Sequence, residues 1–389
     1  MSQNSLFTRG VCFYAVLCVL CVSLLCFTAC GPSYTGTIEV VKKLIDKPAS
    51  ATALYEEHKL LYVAEGNKLV VYDLSKPEDP KRIKQIDAFE GPHLSMTIAT
   101  WLVLIGTNGT MGIFSIDDPK SPKPLWGRNK FLKLPVKTGP YVFRSDLNVL
   151  YMTLDNTAIV RVALNALNVV DFADAEKNLP GAVSKIPGTG GGGIVMPFDK
   201  SNIPVRIYIG RKDKNQIDIW RPDEIEKFAG VQGGSPPKPS ATLATKFKVQ
   251  NLFGYERVNA KDNFKRFYLI ANAVGAGAEG SEADDMAVFS LERNWTKAGE
   301  PILKGSAKVG QVFYTHKEGP LFVSKTLDIW DGNDLGKSLD ERSAPMAKPV
   351  AFAKPDLLID LQLRDLVVYK DFIYTAESSG VRVYKFGKK

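Results

Sequence analysis

The sequence predicts an all-β fold, a β-propeller of seven four-stranded blades. Three observations lead to this prediction. A strand–turn–strand unit recurs seven times, at steps of 41 to 60 residues. Helical periodicity is nearly absent, and only residues 223–228 have a short helical pattern. The first strand-like segment of the body has no hairpin partner of its own. A repeat of this length has room for the four strands of one propeller blade.

Each recurring unit consists of two short apolar runs separated by a polar or glycine-containing turn. The runs are rich in β-branched and aromatic residues, which favour strands, and their boundaries contain Gly, Asn, Asp or Ser. The seven units occupy residues 61–74, 102–116, 150–162, 207–220, 267–291, 321–330 and 373–384.

The two ends of the body are predicted to close the ring. The last hairpin, residues 372–386, finishes almost at Lys389, so its blade lacks an outer strand. Residues 35–44 alternate like a strand and have no hairpin partner. Because unpaired strand edges promote aggregation, we expect the N-terminal segment to join the C-terminal blade as its missing strand.

The N-terminal segment predicts export and lipidation. An apolar stretch at residues 11–27 follows the basic Arg9 and ends in Thr28-Ala29-Cys30-Gly31. All five cysteines lie in the first 30 residues. The Thr-Ala-Cys-Gly ending resembles the lipobox of bacterial lipoproteins, although Phe27 stands where leucine is usual. The prediction is a signal peptide at residues 1–29, lipidated Cys30 with a tether at residues 30–34, and a propeller domain at residues 35–389. The alternative is an uncleaved signal anchor over residues 11–29.

Composition and charge restrict the compartment and the partners. Lipidation at Cys30 predicts an extracytoplasmic protein of the bacterial cell envelope. Gly31 is not the aspartate used for inner-membrane retention in some bacteria, which favours the outer membrane. The chain has 50 Lys and Arg against 42 Asp and Glu, a net charge of +8. These charges are interspersed along the sequence, so we expect a basic surface beside anionic lipid and no nucleic-acid partner.

The first two units are similar to the LVIVD repeat of exported bacterial propellers. Residues 60–80 contain the sequence Leu-Tyr-Val-Ala, a glycine, a short apolar run, Asp73, and then Pro77 and Pro80. The second unit repeats the proline spacing with Pro119 and Pro122. The diagnostic motif covers only about residues 60–125. The resemblance implies an exported propeller that binds a partner or acts as a scaffold.

Residues suited to catalysis are few. The chain has three histidines, His58, His93 and His316, and no Gly-x-Ser-x-Gly or His-x-x-x-His pattern. His58 and His93 precede hairpin strands and could meet at the central channel. An ordinary hydrogen-bonded role is the preferred interpretation of both. The sequence predicts no catalytic residue, cofactor or metal ligand.

Several loops have alternative interpretations. Residues 188–193 (Gly-Thr-Gly-Gly-Gly-Gly) lack the Gly-Lys-Ser/Thr of a phosphate-binding loop and predict a flexible or tightly turned segment. Residues 230–239 predict a mobile loop between blades or a peptide-docking tail. Four acidic residues within 279–285 favour a solvated loop over a Ca²⁺ site. Four aspartates recur near the second strand and are interpreted as turn-capping residues; they are Asp73, Asp117, Asp218 and Asp328.

Two functions remain open at this stage. The preferred hypothesis is a binding or scaffold module, attached to the membrane at Cys30, whose loops or channel mouth hold a protein or glycan partner. The alternative is an exported hydrolase or lyase that uses channel carboxylates and one histidine. The pattern favours a non-enzymatic protein because no assembled catalytic set is visible.

Overall fold

The structure is a computed structural model. It describes residues 37–88, 93–98, 101–106, 110–125, 132–133, 138–144, 147, 149–154, 158–164, 183–187, 191–197, 205–229, 235–258, 265–273, 286–291, 321–323, 327, 329–331, 352–353 and 361–386.

Nearly all regular structure in these residues is β-strand. In the first half of the chain the strands are β1 (Thr37–Ile45), β2 (Ala49–Tyr55), β3 (Leu60–Glu65), β4 (Lys68–Asp73), β5 (Lys81–Asp87), β6 (His93–Ile98), β7 (Leu102–Gly106), β8 (Thr110–Ser115), β9 (Lys123–Pro124), β10 (Leu132–Lys133), β11 (Thr138–Arg144), β12 (Val149–Leu154), β13 (Ala158–Ala163) and β14 (Val183–Pro187). In the second half they are β15 (Ile194–Val195), β16 (Ile207–Gly210), β17 (Gln216–Trp220), β18 (Ala241–Ala244), β19 (Val249–Val258), β20 (Lys265–Ala273), β21 (Met286–Leu291), β22 (Leu321–Val323), β23 (Ile329–Asp331), β24 (Phe352–Ala353), β25 (Leu363–Tyr369), β26 (Phe372–Glu377) and β27 (Gly380–Phe386). A helix, α1 (Pro222–Ala229), lies where the sequence predicts one.

In the described part of the chain the strands form seven sheets, which confirms the predicted propeller. Each predicted unit is an antiparallel hairpin of one sheet. In chain order, the blades are β2–β5 (blade 1), β6–β8 with β9 and β10 (blade 2), β11–β14 (blade 3), β15–β18 (blade 4), β19–β21 (blade 5), β22–β23 (blade 6), and β25–β27 with β1 and β24 (blade 7).

Burial shows which strand of a blade is innermost. In blade 1, the residues from Ala49 to Ala53 on β2 are all buried, whereas those from Lys81 to Gln85 on β5 are all exposed. The first strands of successive blades also contact one another: β25 with β2, β2 with β6, β6 with β11, β11 with β15, and β15 with β19. The first strand of each of these blades therefore lies towards the centre and the last lies on the rim.

The N-terminal strand closes the ring, as the sequence predicts. β1 runs antiparallel to β27, with Ile38 opposite Phe386 and Val40 opposite Tyr384. It thereby becomes the fourth strand of blade 7. β24 pairs with the other edge of β1 in parallel. The last blade thus combines the beginning and the end of the propeller chain.

Apolar side chains fill the spaces between adjacent blades. The cluster between blades 7 and 1, for example, contains Leu61 and Val63 of blade 1 together with Tyr374 and Val383 of blade 7. Burial of an aliphatic side chain of this size contributes roughly 1.5–3 kcal/mol. No cysteine follows Cys30, so the propeller domain has no disulfide, and these inter-blade clusters hold the blades together.

The propeller ring, which we also call the wheel, has two ends, which we call the lower end and the upper end. The lower end carries the turns between first and second strands and the loops between third and fourth strands. The upper end carries the turns between second and third strands and the connections between blades.

At the lower end, the tyrosine of the repeat joins each of two blades to the next. The hydroxyl of Tyr62 in blade 1 donates to the carbonyl oxygen of Pro119 in blade 2, at 2.8 Å. The hydroxyl of Tyr374 in blade 7 donates in the same way to Pro77 of blade 1, also at 2.8 Å. Tyr151 of blade 3 instead donates to Glu226 on α1, which takes the place of this loop in blade 4. The spacing of tyrosine and proline in the repeat therefore encodes a contact between neighbouring blades.

Candidate functional site

Buried polar side chains are concentrated at the upper end of the wheel. Each of those in the described residues lies in the upper half of its blade or at the midpoint of its strand. They are Ser50, Thr52, Glu65, Thr110, Thr153, Arg211, Asp218, Asn272, Thr375 and Glu377. Burying a polar group is costly unless it is paired. Because these buried groups are concentrated at one end, the upper end is the candidate for a functional surface.

The most elaborate of these groups is the upper turn of blade 4, around Arg211. Its guanidinium donates to Asp213 through Nε and Nη2, both at 2.7 Å, in a bidentate pair. Nη1 donates to Asp218 Oδ2 at 3.0 Å, and Gln216 donates to the other oxygen of Asp218 at 2.6 Å. Hydrogen bonds from Arg211 lower the pKa of Asp213 and the bonds to Asp213 raise that of Arg211. These ion pairs and hydrogen bonds hold the turn in one conformation.

Asp218 corrects one prediction. The turn-capping prediction is confirmed for Asp73, whose carboxylate accepts from the backbone N–H of Ser75 at 2.7 Å. Asp117 accepts from the hydroxyl of Ser115 at 2.7 Å. Asp218 is instead fully buried within β17 as the partner of Arg211. Asp328 lies outside the described residues.

The connection from blade 4 to blade 5 is fastened to this turn. The backbone N–H of Thr245 donates to Asn215 O at 3.0 Å, and that of Val249 donates to Arg211 O at 2.7 Å. Asn215 Nδ2 donates to Lys246 O at 3.4 Å. Two loops that are 30 residues apart in sequence therefore form one fixed surface.

This surface displays four lysines, Lys212, Lys214, Lys246 and Lys248, which we call the lysine cluster. Three are exposed and Lys212 is half-buried. The only acidic residues on the same loops, Asp213 and Asp218, are already paired with Arg211. The four ammonium groups form no ion pair with any residue that the structure describes, so this part of the upper end carries uncompensated positive charge.

The glycine-rich segment lies directly beneath the lysine cluster, and it is tightly packed. Gly192 N–H donates to Gly210 O at 3.0 Å and Gly193 N–H donates to Gln250 O at 2.9 Å. A Cβ atom on Gly192 would lie 2.5 Å from the carbonyl oxygens of both Gly210 and Val249. Because these N–H groups already have backbone partners, this part of the segment cannot hold a phosphate, and the tight-turn interpretation is correct for Gly191 to Gly193. Residues 188–190 lie outside the described part.

A second polar group lies where blades 7 and 1 meet and the ring closes, a boundary that we call the seam. The carboxylate of Asp365 accepts from Thr52 N at 2.8 Å and from Thr52 Oγ1 at 3.2 Å. Burial is the main cause that raises the pKa of Asp365 to about 6, and these hydrogen bonds oppose the rise. Asp365 thus joins the innermost strands of the first and last blades near the upper end.

Glu377 organises the upper turn of blade 7. Its carboxylate is fully buried and accepts from Thr375 Oγ1 at 2.6 Å and from the Tyr384 hydroxyl at 3.0 Å. Arg382 lies 3.4 Å away as its ionic partner. Burial of the phenol, with the negative charge of Glu377 as a second cause, raises the pKa of Tyr384 to about 12. Every described polar contact of this carboxylate is internal, so its role is structural.

The structure places the two histidines at opposite ends of the propeller. His58 is exposed in the lower-end turn between β2 and β3, and its ring lies edge-on to Tyr55 with centroids 4.4 Å apart. His93 is the first residue of β6, which begins at the upper end. The hypothesis that both meet at the channel is therefore wrong. His316 and the acidic residues 279–285 lie outside the described residues, as does Cys30.

The described residues lack two further features. They contain no group of three or more His, Cys, Asp or Glu that could hold a metal ion. In the same residues no helix has the length and apolar character needed to cross a membrane.

The lysine cluster is not evident from the sequence, because the basic residues are interspersed with acidic ones along the chain. The available signal was a pair of short basic patterns, Arg-Lys-Asp-Lys at residues 211–214 and Lys-Phe-Lys at residues 246–248. Only the fold shows that these two loops are adjacent and that the acidic residue between the first two lysines is neutralised.

Comparison with known proteins supports the architecture alone. No protein-family model matches the chain, and no curated protein does. Among solved structures, the β-propeller domain of Cps50 (Swd1) from Myceliophteria thermophila is similar, with a TM-score of 0.56, 8% identity, and coverage of 90% of this chain and 99% of that one. The C-terminal WD40 domain of Sif2 has a TM-score of 0.53, 10% identity, and coverage of 90% and 98%. The class of this protein is thus the β-propeller.

Proposed function

We propose that this chain is a binding scaffold whose upper end holds an acidic segment of a partner protein at the lysine cluster. The observation that carries the proposal is a fixed pair of loops presenting four cationic side chains with no acidic neighbour left unpaired. Loops held by a rigid scaffold are a common place for binding residues. The fold itself does not assign the function, so the proposal rests on this surface.

The proposal includes the location inferred from the sequence. Cleavage before Cys30 and acylation of its thiol would attach the propeller to a bacterial envelope membrane, with the outer membrane favoured by Gly31. Each buried methylene of an acyl chain contributes about 0.8 kcal/mol, so several chains hold firmly. Intact-mass measurement of the protein from membranes tests this part. Acyl mass on a chain that begins at Cys30 supports it, and an unmodified chain of 389 residues contradicts it.

The binding test uses the purified protein and a fluorescent oligoglutamate peptide as the probe. Exposed lysine–carboxylate contacts contribute about 0.2–1 kcal/mol each. Replacing all four lysines by glutamine should therefore weaken binding by roughly fourfold or more, and added salt should weaken binding to the unmodified protein. Fluorescence anisotropy measures both effects.

A matched control removes the same number of charges from the lower end. Lys59, Lys76, Lys120 and Lys123 are exposed there, and their replacement by glutamine should leave binding unchanged. Equal loss in the two quadruple variants would reduce the effect to net charge and contradict the proposal. A sulfated polysaccharide is the second probe, and if it binds tightly while the peptide does not, the partner is an anionic glycan and the protein proposal is wrong.

A further inference from the structure

The outer strands of the two blades at the closing seam form an unusual surface. Four large aliphatic side chains are about two-fifths exposed in the described residues, and three of them lie here. Val40 (42%) and Val41 (40%) are on β1 and Ile83 (39%) is on β5, whereas Leu147 lies elsewhere.

Two of these aliphatic residues occupy the same kind of backbone position. On β1 the register with β27 shifts between Val40 and Lys42, which leaves Val41 as the extra residue of a bulge. On β5 the partners of Tyr72 and Val71 are Arg82 and Lys84, which leaves Ile83 as the extra residue. A β-bulge redirects the side chain of its extra residue away from the regular ladder. Each rim strand thus presents the β-branched aliphatic residue of its bulge to solvent.

Basic residues flank both bulges. Val41 precedes Lys42 and Lys43, while Ile83 lies between Arg82 and Lys84, with Lys81 before them. Lys42 contacts Asp79 and Lys43 contacts Asp46. Lys81, Arg82 and Lys84 are exposed, and they form no ion pair with any residue in the described ranges. We call these eight residues the seam rim: Val40, Val41, Lys42, Lys43, Lys81, Arg82, Ile83 and Lys84.

An ion pair links β1 to the loop that leads into β5. Lys42 of β1 contacts Asp79, which lies two residues before the start of β5. Leu44 and Ile45 of β1 pack against the apolar cluster between blades 7 and 1. The two halves of the seam rim therefore lie on adjacent blades, on the rim where blades 7 and 1 meet.

From these features, we infer that the seam rim lies against an anionic lipid surface and orients the wheel on the membrane. Aliphatic side chains among lysines and arginines suit the boundary between headgroups and acyl chains. The inference rests on the lipid anchor of the proposed function, because Cys30 is only seven residues before Thr37, where β1 begins. Seven residues of extended chain span at most about 25 Å, so the anchor would keep β1 near the membrane.

The absence of cysteine after Cys30 makes a site-specific test possible. Ile83→Cys in the processed protein, which begins at Cys30 with its thiol acylated, has one free thiol. It is labelled with an environment-sensitive fluorophore and reconstituted into vesicles of phosphatidylcholine with or without phosphatidylglycerol. We expect a blue shift in the anionic vesicles that decreases with added salt. The matched control is Thr242→Cys on β18, an exposed residue on the rim of blade 4, which should show no shift.

A charge variant separates the rim from the anchor. Lys81, Arg82 and Lys84 are replaced by glutamine in the Ile83→Cys protein, which should still float with the vesicles but lose the blue shift. Equal emission from positions 83 and 242, in protein that floats, overturns the rim inference and leaves the anchor intact. Protein that fails to float overturns the anchor itself.

Two other outcomes would identify a different occupant of this surface. A shift that appears without vesicles as protein concentration rises would show a second copy, and a shift that needs envelope proteins would show a protein partner. Either outcome overturns the inference.

Discussion

The lower and upper ends of the wheel solve different problems. At the lower end, Tyr62 and Tyr374 make the same hydrogen bond to equivalent prolines of the next blade, so one contact recurs with the repeat. At the upper end each blade differs, with Asp365 bound to Thr52 at the seam and Arg211 bound to two aspartates in blade 4. The contacts that recur with the repeat therefore assemble the ring. The upper turns, which do not repeat, form the specific surfaces.

The largest expected effect comes from the glycine segment under the upper turns. Gly192→Ala places a Cβ against two backbone oxygens that cannot move independently, so we expect a loss of about 2–3 kcal/mol or more in the free energy of unfolding. Denaturant unfolding measures it. Gly66→Asn is the control, because Gly66 has a φ of +56° with open space around it and Asn tolerates that conformation. If the two variants had similar free energies of unfolding, the packing of Gly192 against Gly210 and Val249 would be loose.

The next effect concerns the seam at Asp365. Its raised pKa means that the folded state binds the proton more tightly than the unfolded state, so its stabilising protonation is lost as pH rises from about 4 to about 6. Relative to Asp365→Asn, the unmodified protein should therefore lose at most about 3 kcal/mol between pH 4 and pH 7. Thermal melts across this range measure the difference.

Asp73→Asn supplies the control of opposite sign. Hydrogen bonds from Ser75 lower the pKa of Asp73, so its contribution is lost as pH falls. If the Asp365→Asn protein showed the same pH profile as the unmodified protein, the carboxyl group at the seam would not be the titrating group.

The smallest effect tests the repeated lower contact. Tyr62→Phe and Tyr374→Phe each remove one hydrogen bond and should each cost about 1 kcal/mol, with additive losses in the double variant because the sites are independent. Tyr72→Phe is the control, since the buried Tyr72 hydroxyl has no partner in the described residues. It should be neutral or slightly stabilising. Equal losses in all three variants would mean that the hydroxyl contacts to proline contribute nothing specific.

The sequence was sufficient for the ring and insufficient for the site. The hairpins and α1 were predictable because apolar alternation and turn residues are local signals. The pairing of β1 with β27 was predictable because the first strand lacked a hairpin partner and the last blade lacked an outer strand. The bond between Thr52 and Asp365 joins residues 313 positions apart, and only the closed ring brings them together. Asp218 looked like the other turn aspartates, and its burial depends on Arg211 being placed beside it by the hairpin. The lysine cluster could not be predicted for a similar reason. It depends on contact between the upper turn of blade 4 and the connection from blade 4 to blade 5.

Photo-crosslinking in intact cells of the source organism can show whether partners contact the upper end, as we propose. A photoreactive amino acid is placed at Asn215, between the loops of the lysine cluster, and in a second strain at His58, which is exposed at the lower end. We expect a crosslinked partner at position 215 that is absent at position 58. Its yield should fall when Lys212, Lys214, Lys246 and Lys248 are replaced by glutamine. Crosslinks that form at position 58 and not at position 215 would contradict it.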